Sequence, residues 1–206
     1  MKTSVLLVCF FLAGGVVGRL MFLNKALPVP QLDLIALYML LLFVGVVVGG
    51  DRRAWELVKR AHWRVALAPA ATAVGTVLGV AALAALCHGL SVGRAVAVGA
   101  GFGYYSLSSV LLTRLTGSEE LGVVALVSNI LRELMTLVAA PLLVRWFGRL
   151  APVAAGGATA MDTTLPVITR CSGKAYAVVA VFSGFILTLA VPVLLPLLIR
   201  WVPPLP

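Results

Sequence analysis

Charge is scarce in this 206-residue chain: 11% of its residues are Asp, Glu, Lys or Arg, with 7 acids against 16 basic residues. Soluble domains carry about 25% charged residues, so this composition argues against a soluble globular class. Histidine is scarcer still. His62 and His88 stand far apart with no Cys, Asp or Glu cluster beside them, which argues against zinc. Cys9, Cys87 and Cys171 are isolated and form no C-x-x-C, so they read as small core residues, neither a metal set nor a disulfide. No convincing His-based dyad accompanies Ser91, so the letters G-x-S-x-G at Gly89-Leu90-Ser91-Val92-Gly93 do not make a convincing nucleophile elbow, which argues against an intramembrane enzyme. Gly99, Gly101 and Gly103 do not make a G-x-G-x-x-G fingerprint, so neither a dinucleotide nor any other cofactor is expected. The net charge of +9 collects between apolar runs and carries no RNA- or DNA-binding motif. It reads as a set of orientation signals, and no nucleic-acid partner is expected.

What the chain has in quantity is hydrophobic sequence, 62% of all residues, with a mean hydropathy of +1.11. The runs fall at 3–23, 32–50, 65–86, 95–113, 121–144, 154–169 and 175–199. A bilayer-crossing helix needs about 20 residues, so these predict an all-α integral membrane protein with about seven hydrophobic segments. Residues 1–206 read as one transmembrane domain in contact with membrane lipid, with 1–87 a three-helix unit and 88–206 the core. The run at 3–23 reads as an uncleaved helix, although Lys2 and Ala13-Gly14-Gly15 imitate a signal peptide. Arg52, Arg53, Lys59, Arg60 and Arg64, with Trp55 and Trp63, place the second loop in the cytoplasm by the positive-inside rule.

The core is organised around Ser128-Asn129-Ile130-Leu131-Arg132-Glu133-Leu134, midway along the run at 121–144. A carboxylate at that depth costs from about 2.5 to over 10 kcal/mol if uncompensated. On a helix Asn129, Glu133 and Thr136 share one stripe, with Ser128 and Arg132 beside it. Two readings are open. Arg132 neutralises Glu133 as a clamp between helices, or the stripe lines a transport site.

Two segments are predicted to be broken or re-entrant. The run at 95–113 holds alternate glycines followed by Tyr104-Tyr105-Ser106-Leu107-Ser108-Ser109, whose hydroxyls can satisfy backbone groups freed by a break. The run at 154–169 holds Gly156-Gly157 and then Asp162-Thr163-Thr164-Leu165-Pro166. Proline disfavours helix at the preceding residue, so a break is expected near Leu165. Interrupted helices of this kind build substrate and ion sites in secondary transporters. The plainer alternative is a kinked helix with Asp162 capping its second half. Glu133, Asp162, Asn129, Arg132, Ser106, Ser108, Thr163 and Thr164 are therefore the candidate substrate- or proton-binding residues.

Three ordered blocks carry a family resemblance: Gly101–Ser109 with Leu111-Leu112-Thr113, Asn129-x-x-Arg132-Glu133-Leu134, and Gly156–Pro166. Together they resemble the bacterial lysine exporters of the LysO type over roughly residues 35–200. The resemblance implies export of lysine and toxic lysine analogues across the bacterial inner membrane, coupled to inward proton movement. It implies that Glu133 is an intramembrane acid of the mechanism, and that Asp51, after Phe43-Val44-Gly45, is a second one. Longer members carry further helices upstream, and residues 1–87 resemble that portion in plan. That suggests an inverted-repeat transporter fold completed by a small three-helix partner subunit or by a homodimer. The rival readings are a cation/proton antiporter, an exporter of another small solute, and a non-transporting subunit of a split transporter.

Overall fold

The computed structural model describes residues 63–86 and 91–200, together with isolated helical positions between Ala13 and Glu56. Asp51 and most of the expected spans at 3–23 and 32–50 lie outside the described residues. The chain divides into two compact units, Met1–Phe43 and Val44–Pro206, and the core belongs to the second.

That core is helical throughout its described length: α1 (Trp63–Leu86), α2 (Val92–Gly99), α3 (Tyr105–Thr116), α4 (Glu119–Phe147), α5 (Ala151–Gly156), a 3₁₀ turn (Gly157–Met161), α6 (Leu165–Ser172) and α7 (Lys174–Ile199). Among the described residues three stretches are long and apolar enough to cross a membrane: Val65–Leu86, Glu119–Phe147 and Lys174–Ile199. Helices that are apolar on every side suit a bilayer, where water does not reward a polar face. Half of the most apolar stretch of α7 is buried, against 22% for α4 and 11% for α1, so α7 is the central helix. α1 and α7 flank an apolar groove of about 260 Å³, lined by Ala73, Val74, Val77, Leu78, Leu194, Leu198 and Phe102.

α4 is the strut beside the core, and its ends follow from local chemistry. The Ser118 hydroxyl accepts from the Leu121 N–H at 3.2 Å, Glu119 and Glu120 occupy the positive first turn, and Arg145 occupies the last. Ser118→Ala is expected to cost about 1 kcal/mol, read as a lower melting temperature in detergent. Gly122 lets α3 lie close, since a Cβ there would overlap the Thr113 hydroxyl.

Both segments expected to break do so. α2 stops at Gly99, and the chain turns through Ala100–Tyr104 before α3 begins at Tyr105. α5 stops at Gly156, and regular α-helix resumes only at Leu165. The second interruption therefore starts earlier than proline at 166 predicts. Gly157 ends α5 by taking φ 62°, ψ −124°, a conformation that favours glycine. Pro166 lies in the first turn of α6, where its missing N–H costs nothing, so it marks a helix start and not the helix end.

Candidate functional site

A break in a membrane helix strips backbone groups of their partners, and each orphan in a water-poor interior costs several kcal/mol. Here the two breaks supply one another. The Ala158 N–H donates to the Phe102 carbonyl at 2.7 Å, so the interruption at 100–104 lies against the one at 157–164. Contact is backbone on backbone. A Cβ at Gly103 would stand 2.8 Å from the Gly156 carbonyl oxygen, and one at Gly157 would run into the Phe102 carbonyl oxygen. Phe102 itself is fully buried and holds φ 46°, a left-handed conformation rare for a bulky residue. Burial of its ring, worth about 1.5–3 kcal/mol, offsets strain of about 1–3 kcal/mol.

α4 fastens both breaks from one side. Asn129 Oδ1 accepts from the Gly103 N–H at 2.8 Å, while Nδ2 donates to the Ala125 carbonyl at 2.8 Å and to Ser108 Oγ at 3.3 Å. Close approach here requires Gly101, where a Cβ would sit 2.7 Å from both Asn129 Nδ2 and Ser108 Oγ. One turn further along α4, Arg132 reaches the other break. Its Nε donates to the Ala155 carbonyl at 2.7 Å, and Nη2 donates to the Ala154 carbonyl at 2.9 Å and to Thr76 Oγ1 of α1 at 3.4 Å. Those carbonyls end α5, where helical N–H partners run out and a cation complements the negative helix terminus. Thr136 completes the face, donating back to the Arg132 carbonyl at 2.8 Å.

The clamp between Arg132 and Glu133 is thereby corrected. Arg132 spends its donors on the end of α5 and on α1. No hydrogen bond or ion pair from any described residue reaches the half-buried Glu133 carboxylate. Consecutive helical residues point about 100° apart, so the face turned to the breaks is Ala125, Asn129, Arg132, Thr136 and Ala140, with Glu133 on its flank. Ser128 is exposed.

The remaining candidates separate by burial. Ser108 is fully buried, donating to the Tyr105 carbonyl at 3.2 Å while it accepts from Asn129, whereas Ser106 is exposed on α3 outside this cluster. Thr164 is buried and donates to the Thr159 carbonyl at 3.0 Å. Asp162 and Thr163 are exposed on the turn before α6, where Asp162 Oδ1 accepts from the Thr163 N–H at 2.6 Å and the Thr163 hydroxyl at 3.3 Å. Asp162 thus caps its own turn, and α6 has no side-chain cap. Sequence reasoning missed Phe102, Ala158, Thr159 and Thr76. Thr159 closes the second break by donating from Oγ1 to the Gly156 carbonyl at 2.9 Å. The glycines on either side of Phe102 and at 156–157 were the available signal.

What this arrangement can do is hold polar groups at the centre of an apolar bundle: a fixed guanidinium, a buried amide, and a carboxylate with no partner among the described residues. Comparison with known proteins gives it a context. The family described as lysine exporter LysO matches residues 8–199. Over 106 residues the chain is 41% identical to the Escherichia coli (strain K12) protein named lysine exporter LysO, covering 52% of this chain and 35% of that protein. Over 102 residues it is 36% identical to a Haemophilus influenzae (strain ATCC 51907 / DSM 11121 / KW20 / Rd) protein named as a candidate lysine exporter, covering 50% of this chain and 51% of the relative. The matched region thus spans between about a third and a half of these curated relatives. No solved structure matches the chain. With a match running through nearly all of its length, the chain belongs to the lysine exporter LysO family.

Proposed function

We propose that this chain exports L-lysine, and toxic analogues of it, across the bacterial inner membrane as a secondary transporter driven by protons moving inward. Family membership supports the substrate. The single observation that carries the mechanism is the carboxylate of Glu133, which has no partner among the described residues and lies on the same long helix that fastens both interruptions. A charge at such depth is costly unless something meets it, and a proton or a substrate ammonium group does so in turn. Alternation between the two is how an acid couples inward proton movement to outward cation movement. Asn129, Ser108 and Thr164 hold the geometry of the breaks. Asp162, exposed on the second interruption, offers a second acid where the substrate enters or leaves.

Glu133→Gln is the direct test. The amide keeps the size of the side chain and removes both its charge and its titration. Vesicles containing the full chain and loaded with labelled lysine are expected to lose efflux at least about 100-fold with this variant, while its melting temperature in detergent stays within a few degrees of the parent. Undiminished efflux would remove Glu133 from the mechanism. Competition by lysine, arginine, ornithine and sodium in the same vesicles separates lysine export from cation/proton exchange.

A further inference from the structure

Arg132 carries a charge that no described residue answers with another. Its guanidinium is fixed by Nε on Ala155 and by Nη2 on Ala154 and Thr76, all neutral acceptors. No carboxylate among the described residues pairs with it. Nη1 takes part in none of these bonds and has no protein partner among the described residues. The side chain is half-buried, at the point where both breaks meet: a Cβ on Gly157 would lie 3.2 Å from Nη2 and against the Phe102 carbonyl oxygen.

Taking a cation out of water without an anion to meet it costs several kcal/mol. The carbonyls at the end of α5 supply part of the compensation through the helix terminus, yet α5 is only six residues long. Three bonds on two nitrogens also do something that an ordinary surface arginine lacks. They hold the guanidinium plane rigid, so the remaining edge is presented with little rotamer entropy left to lose. A pre-oriented N–H donor with unbalanced positive charge suits an anionic oxygen, and of the groups that an amino acid carries the carboxylate alone supplies one.

We infer that the Nη1 edge of Arg132 receives the α-carboxylate of an amino-acid substrate. The inference rests on the exporter reading above and deepens it, because it says which part of the substrate is recognised besides its cationic groups. Arg132 and Glu133 are consecutive on α4, a cation beside an acid with no partner among the described residues. A ligand with a carboxylate at one end and an ammonium group a few bonds away complements that pair. A diamine of the same length does not. The site therefore selects amino acids and rejects the corresponding amines.

The ligand can be altered without touching the fold. Lysine, lysine amide and cadaverine are to be compared as competitors for labelled lysine in vesicles containing the full chain. Lysine is expected to compete at least about tenfold better than either analogue, since both lack the charged acceptor. Arg132→Gln then closes the cycle: lysine is expected to fall to the level of the amide, while binding of the amide changes little. Should Arg132→Gln fail to fold, the analogue series on the parent protein decides alone. Lysine amide competing as well as lysine would overturn the assignment while leaving lysine export standing, as would a variant that loses lysine and amide in equal measure. Failure of the parent to bind any of the three would remove the exporter reading together with this one.

Discussion

Gly157→Ala is expected to leave little folded protein. Two independent penalties meet at this position. The backbone at φ 62°, ψ −124° is one that an L side chain rarely adopts, which costs about 1–3 kcal/mol. The added methyl group also runs into the Phe102 carbonyl oxygen, a backbone atom that no rotamer change can move aside. Relief requires the two breaks to separate, which forfeits the 2.7 Å bond from the Ala158 N–H and leaves both of its groups buried and unpaired, at about 1–3 kcal/mol. The combined cost, about 2–6 kcal/mol, is a large fraction of the stability of a typical domain. Yield after detergent extraction and the melting temperature are the measurements, and a variant that melts within a few degrees of the parent would show that the crossing bears little load. Gly148→Ala is the matched control. It too has positive φ, at 87°, but a Cβ there meets nothing within 4 Å, so only the conformational part of the penalty remains.

Asn129→Leu is expected to cost about 2–4 kcal/mol and to abolish lysine efflux even where folded protein is recovered. Leucine matches the amide in size but neither accepts nor donates, so the buried Gly103 N–H loses its only acceptor on α4. Bonds to the Ala125 carbonyl and to Ser108 go with it. The Gly103 N–H sits just before the first turn of α3, and without that tether the start of the helix is no longer fixed against α4. Ser108→Ala provides the contrast. It removes the partner of a longer bond, 3.3 Å, and should cost no more than about 1 kcal/mol. Thermal melting and vesicle efflux on the same preparations separate lost folding from lost transport. Equal behaviour of the two variants would mean that the Gly103 tether has no special standing.

Hydrophobic runs in the sequence locate the long helices closely, as with the run at 121–144 inside α4 and that at 175–199 inside α7. The two interrupted segments were legible as well, because glycines at alternate positions and a threonine-rich stretch ahead of proline are local signals. The position of the second break was not. Pro166 reads from sequence as the end of a helix but serves a beginning, and the residue that ends α5 is Gly157, whose reason is contact with Phe102 at a distance in sequence. Arg132 shows the same limit. Its neighbour Glu133 was the obvious partner on paper, but the acceptors that claim it are backbone carbonyls of α5, and carbonyls leave no mark in a sequence. Helical spacing also put Glu133 and Asn129 on one stripe, whereas packing selects Asn129, Arg132 and Thr136 as the inward face.

The bond between Ala158 and Phe102 has a mechanical consequence. Two interrupted segments stitched through their main chains, and both pinned to α4, cannot swing separately. A displacement of either segment is therefore passed to the other and to α4. A looser seam runs along the oily crevice between α1 and α7, lined by aliphatic side chains and Phe102, although α1 stays tethered to α4 through Thr76 and Arg132.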